Sequence, residues 1–187
     1  PPPLGGCPLA VDAGCTSGFA KGLLKVSAEP GKEKLIAKLI KGPALAQSDM
    51  GNPLAVGQGG TGTAYSLCVY DGAGALAGGV EVNRAADTCD GQPCWKPLGH
   101  APNDPRGPGK GYKYKDGAAA ADGVRTLLYK GGAAGSSKAI VIGRGPALPV
   151  GLPPALQSAT QATLQLRSSN GICLSVDLTS ISEQTAA

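Results

Sequence analysis

At 187 residues the chain has the length of one large domain or two small ones, and a domain of that size buries roughly 70% of its unfolded surface. A hydrophobic share of 42% argues against disorder, although 30 Gly and 16 Pro make up roughly a quarter of the residues. The net charge of +4 is modest, and no run approaches the about 20 apolar residues of a membrane helix, so no membrane span is expected.

Residues 1–18 read as a Pro/Gly-rich arm. Two apolar segments follow, residues 19–27 and 34–41, parted by the turn signature Glu29-Pro30-Gly31. In the second, Lys34, Lys38 and Lys41 fit a helix face, whereas Leu35, Ala37 and Leu39 fit a strand face. Eight residues bounded by Gly and Pro favour the strand. A polar, Gly-rich loop, 42–62, precedes the densest β signal in the chain, residues 64–71, with turn formers at both ends. Tyr65, Leu67 and Val69 share one face there, and Cys68 lies on the other with Ala64 and Ser66.

Residues 75–82 continue as a strand, followed by the tight loop from Cys89 to Cys94, with Trp95 placed to cover it. After the Pro/Gly-rich loop 98–111, Tyr112-Lys-Tyr-Lys115 alternates strictly and puts both tyrosines on one face. A short helical turn is expected within 117–124, where Ala118 to Ala121 are good helix formers. Residues 124–130 and 138–143 predict a hairpin, and 139–142, apolar on both faces, a central strand. In the last pair, a three-residue loop Ser169-Asn-Gly171 sets Leu166 opposite Leu174 and Leu164 opposite Val176, with Gly171 left-handed. Cys173, like Cys68, then points away from the apolar face.

The six cysteines, Cys7, Cys15, Cys68, Cys89, Cys94 and Cys173, include no Cys-x-x-Cys, and there is one histidine, His100. Zinc spacings are missing, so disulfides and an oxidising compartment are expected. Locality favours Cys7 with Cys15 and Cys89 with Cys94. That leaves Cys68 for Cys173, a closure worth about 4–5 kcal/mol in the chain-entropy model. The chain starts at Pro1 rather than Met, as expected if a signal or pro-segment has been removed.

Charge is unevenly placed: 1–41 sums to +3, 42–95 to −4, 96–167 to +7 and the last twenty residues to −2. Alternating blocks could let one face of a subunit attract another face of its neighbour. The solvated-loop alternative is the more common one.

Candidate chemistry is sparse. Gly57-Gln-Gly59-Gly-Thr-Gly62 matches G-x-G-x-x-G, but a strand rather than a helix follows it, which speaks against a dinucleotide site. His100 has no nucleophile or carboxylate at motif spacing. Asp87, Asp90, Asn103 and Asp104 offer oxygens without the about six to eight that calcium takes. Asp116 and Asp122 are the carboxylates a hydrolase would use, though no spacing favours one. Arg106, Lys110, Lys113 and Lys115, interleaved with Tyr112 and Tyr114, form the one basic–aromatic cluster; such a cluster can bind single-stranded nucleic acid or acidic polysaccharide, but a lysine-protected sheet edge is the favoured reading.

Leu67-Cys-Val-Tyr-Asp71, Cys94-Trp95, Tyr112-Lys-Tyr-Lys-Asp116 and Leu164-Gln-Leu166 with Cys173 together resemble an uncharacterised module of large secreted proteins of environmental bacteria. The resemblance covers most of 15–178 and departs at Leu174, where an aromatic is common. It implies an extracellular β domain and nothing catalytic.

The expectation is an all-β, antiparallel sandwich, Ig-like or jelly-roll-like, of eight to ten short strands with disulfides. It consists of an arm (1–18), one sandwich domain (19–178) and a tail (179–187). No catalytic, cofactor-binding or metal-binding residues are expected, and no enzyme. The leading function is an extracellular structural subunit at the bacterial surface. It would build a filament with copies of itself, head-to-tail or by adding the arm to a neighbour's sheet edge. The alternative is a carbohydrate-binding or adhesive module, with Tyr112, Tyr114 and Trp95 stacking on polysaccharide and Arg106 and Lys113 beside them. Nucleic acid is not an expected partner.

Overall fold

A computed structural model describes residues 6–54, 62–148, 156, 160–179 and 181, with the backbone of 184 and 185. The strands, in chain order, are β1 (Lys21–Ser27), β2 (Lys34–Gly42), β3 (Tyr65–Asp71), β4 (Leu76–Val82), β5 (Thr88–Cys89), β6 (Gln92–Pro93) and β7 (Trp95–Pro97). They continue as β8 (Gly111–Lys115), β9 (Val124–Lys130), β10 (Ser137–Arg144), β11 (Ala162–Ser168), β12 (Cys173–Leu178) and β13 (Gln184–Thr185). A 3-10 turn, Gln47–Met50, sits in the loop before β3.

Seven strands form a large sheet in the order β13-β1-β2-β10-β9-β8-β7, and four form a small sheet in the order β12-β11-β3-β4. All pairings within them are antiparallel except β1 with the two-residue β13. The fold class is therefore the all-β one expected, and residues 34–41 belong to a strand. Apolar side chains of the two inner faces join in one core: Leu24, Ala37, Val141 and Leu127 from the large sheet, Leu67 and Leu164 from the small one. Period-two alternation produces this core. In β2 as far as Ile40 and in β10 as far as Gly143 every second residue is buried and those between are half-exposed.

The C-terminal hairpin has the expected register, with Leu166 opposite Leu174 and Leu164 opposite Val176, and Gly171 at φ 92° in the loop. The helical turn expected at 117–124 is absent. Asp116 draws the backbone N–H groups of Ala118 and Ala120 to its carboxylate (both 2.9 Å), and Ala119 and Asp122 take positive φ of 53° and 45°. A side chain that captures backbone donors in this way competes with helix formation. The G-x-G-x-x-G segment lies outside the described residues but for Gly62.

The arm is the main departure. Cys7 joins Cys68, Cys15 joins Cys173, and only Cys89–Cys94 pairs as locality suggests. The reason lies in the sheet order. β11 stands between β3 and β12, so Cys68 and Cys173 are two strands apart, about 9–10 Å, beyond disulfide reach. Both thiols do point away from the core, and the arm crosses their side of the sheet and meets each.

Residues 6–16 thus form a strap over the small sheet, clipped at both edges. At β4, Val11 N donates to Gly74 O (3.0 Å) and Leu76 N to Leu9 O (2.9 Å). At β12, Thr16 N donates to Cys173 O and Ser175 N to Thr16 O (2.8 Å each). Between them, the Gln165 side chain donates to Asp12 O (2.8 Å) and accepts from Asp12 N (3.3 Å). Arg167 Nη1 reaches the Asp12 carboxylate at 2.9 Å and holds it below the usual carboxylate range. The strap explains why β3 is buried on both faces: Cys68 and Tyr70 pack with Cys7 outside the main core.

Candidate functional site

Three of the residues proposed as a sugar platform are in the core. Trp95 is 2% exposed, and Tyr112 and Tyr114 are fully buried, so none can stack on a ligand. The strict alternation of β8 holds in the structure, but the tyrosine face is the inner one. Trp95 packs at 5.0 Å from Tyr65 and 5.2 Å from Tyr114 between ring centroids, and shares the core with Cys89 and Cys94. Trp95 Nε1 and the Tyr112 hydroxyl have no hydrogen-bond partner among the described residues, so packing alone holds these rings. Burial pushes the Tyr112 phenol up to about 12.

The other candidates are engaged locally. Arg106 pairs with Asp104, two residues away in an exposed loop (2.8 Å), and holds that carboxyl down at about 2. His100 Nδ1 lies 3.2 Å from Gly107 O. Asp90 accepts from Gly117 N (3.0 Å), and Asp122 from Glu81 N (2.8 Å). Asp116, 2% exposed, accepts from the Tyr114 hydroxyl (3.0 Å) as well as Ala118 N and Ala120 N, with Arg84 Nη1 at 3.7 Å. Burial alone would raise its pKa; those hydrogen bonds and the guanidinium outweigh it, so it falls below the ordinary value. These carboxylates organise loops. Among the described residues, no group of three or more His, Cys, Asp or Glu is arranged to hold a metal ion.

Lys113 alone of the predicted interaction residues faces solvent with no pairing partner named above, and it belongs to a larger array. The outer face of the large sheet reads in cross-strand rows. One row runs Leu23, Lys38, Ile140, Leu128, Lys113, Lys96 from β1 to β7. A second runs Lys21, Ile40, Lys138, Lys130, and a third Lys25, Ile36, Ile142, Thr126, Lys115. Lys34 and Arg144 stand opposite each other beyond these. No acidic residue occurs anywhere in β1, β2, β7, β8, β9 or β10.

The small-sheet side has the opposite balance: Asp12 on the strap and Asp71, Glu81 and Asp177 on the strands, against Arg167 alone. The two sheets therefore carry unlike charge, basic on the strands of the large one and net acidic on the strap and strands of the small one. What the sequence did not reveal is that strands from both basic blocks, 1–41 and 96–167, pair into one sheet; the Lys/Ile alternation with no acid at outward positions was the available signal.

A hollow of about 630 Å³ opens where this face meets the loops. Leu98, Leu128 and Pro108 line it with Lys110, Lys130 and Lys138. A smaller one of about 260 Å³ lies at the other edge, between the β5–β6 hairpin and Lys96, Lys113 and Lys115. No protein-family model matches the chain, and neither a curated protein nor a solved structure is significantly similar to it.

Proposed function

We propose that the protein is a non-enzymatic extracellular adhesive module whose working surface is the outer face of the large sheet. The observation that carries this is the lysine array with no acidic residue on its strands, on the outer face of the sheet opposite the strap. Rows of like charge raise the local concentration of polyanions and bind them in a salt-dependent way. Disulfides support the extracellular placement. The adhesive role no longer rests on Trp95, Tyr112 and Tyr114, which are buried.

The test is retention on an immobilised polyanion such as dextran sulfate. The wild type should be retained at low salt and elute as salt rises, and Lys38→Glu/Lys113→Glu/Lys138→Glu should flow through. Equal retention of the triple variant would refute the assignment.

One observation favours a second reading, the head-to-tail homopolymer. A basic large-sheet face and a net acidic strap face on the same subunit are complementary, and stacking one on the next does not close. Strand addition by the arm has less support, because residues 6–16 already pair with their own β4 and β12. Salt-sensitive self-association in sedimentation velocity, with no added polyanion, would favour the polymer.

A further inference from the structure

We infer that the surface this module adheres to is an anionic lipid bilayer, bound by lysines through lipid phosphates and by a central aliphatic patch against the acyl–headgroup boundary. This rests on the adhesive reading and specifies its partner. Three features of the open face carry it.

First, its centre is apolar. Ile36, Ile142, Ile140 and Leu128 adjoin one another along and across β2, β10 and β9, all half-exposed, on a sheet face that no other described strand covers. β10 thus has the two-sided apolar pattern of a buried central strand while one side is open. A hydrated sugar polymer gains little from such a patch, whereas lipid buries it.

Second, the surrounding cations are lysines in all rows but the outermost, where Arg144 joins Lys34. Lysine lays an aliphatic stem over neighbouring apolar side chains and lifts a compact charge to phosphate level. No aromatic side chain stands on the face, since the tyrosines and tryptophan of its strands are turned into the core. Stacking on sugar rings or nucleobases has no platform.

Third, the hollow beside Leu128 has the chemistry of a lipid-headgroup seat. Leu98 and Pro108 supply apolar walls, and Lys110, Lys130 and Lys138 supply cations for a phosphate. The sheet itself, seven strands at about 4.8 Å spacing, is about 25–30 Å across, broad enough to lie on many headgroups together.

The experiment is co-sedimentation of the oxidised protein with phosphatidylglycerol vesicles, with phosphatidylcholine vesicles, and with the soluble polyanion polygalacturonate as competitor. Binding should be strong to the first, absent from the second, and weakly competed. Each lysine near an anionic surface contributes about a fivefold factor, so Lys38→Glu/Lys113→Glu/Lys138→Glu should weaken vesicle binding by about 100-fold or more. Ile140→Thr/Leu128→Thr should weaken vesicle binding several-fold while leaving retention on dextran sulfate unchanged. Lys32→Glu, in the β1–β2 turn, should change neither.

Vesicle binding that polygalacturonate abolishes, or that ignores Ile140→Thr/Leu128→Thr, overturns the lipid assignment and leaves the adhesive reading standing. Indifference of both vesicles and dextran sulfate to the triple charge reversal overturns both. Self-association in place of vesicle binding, lost in the triple variant, overturns the lipid assignment for a second copy. Should the triple variant fail to fold, wild-type vesicle binding unaffected by 1 M salt counts equally against the inference.

Discussion

Removing the strap's outer disulfide should be the costliest cysteine change in this chain. Cys15–Cys173 spans 158 residues and Cys89–Cys94 spans 5. In the chain-entropy description the first stabilises by about 5 kcal/mol and the second by about 2 kcal/mol. For a chain of this size each kcal/mol shifts the melting midpoint by about 2–4 °C, so Cys15→Ser/Cys173→Ser should melt about 10–20 °C lower and Cys89→Ser/Cys94→Ser about 4–8 °C lower. Thermal unfolding followed by circular dichroism gives both shifts. The same variants report the pairing. With the strap as described, Cys15→Ser/Cys173→Ser leaves Cys7 and Cys68 still bridged, and a thiol assay in denaturant finds no free sulfhydryl. Two free thiols, or a smaller loss of stability than in Cys89→Ser/Cys94→Ser, would refute the strap.

Two further outcomes follow from the buried polar groups. Burial raises the pKa of Tyr65, Tyr112, Tyr114 and Tyr129 above the ordinary value of 10.0, with Asp116 adding to the shift at Tyr114 and Asp49 at Tyr129. A raised folded-state pKa contributes stability below pH 10 that is lost as pH climbs through the folded values. Absorbance at 295 nm should therefore show these phenols ionising together with unfolding; graded titration near pH 10 in the folded state would contradict their burial. Asp116→Asn should destabilise by about 1.5–3 kcal/mol at neutral pH through lost charge-assisted hydrogen bonds. Because the carboxylate's folded pKa is depressed, its contribution is present above the ordinary 3.8 and lost as pH falls through the folded value. The Asn variant should lose less stability on acidification, and a parallel loss in both proteins would exclude that role.

Local signals were legible where one face decides the matter. Leu164, Leu166, Leu174 and Val176 dictate a unique register, because a one-residue slip would turn them to solvent, and the structure has that register. Tyr112 and Tyr114 share one face, as alternation requires, but alternation cannot say which face is inner; the neighbours Tyr129 and Trp95 decide that by packing on the same side. The disulfide pairing is illegible in the sequence for a related reason. Pairing depends on the order of strands in space, and Gln165 on β11, opposite Cys68, is what keeps Cys68 from Cys173. Similarly, the basic face draws on residues as distant as Lys38 and Lys138, and only sheet assembly brings them into one row system. Ala118 to Ala121 favour a helix by propensity, yet the Asp116 carboxylate takes the donors a helix would use.

Lysine acetylation footprinting, read by mass spectrometry with and without phosphatidylglycerol vesicles, tests the role of the large sheet most directly. Protection should concentrate at Lys38, Lys113, Lys130 and Lys138, with Lys32 in the β1–β2 turn labelled equally in both conditions. Uniform labelling with vesicles present, or protection at Lys32 in place of the sheet lysines, would contradict the assignment of this face.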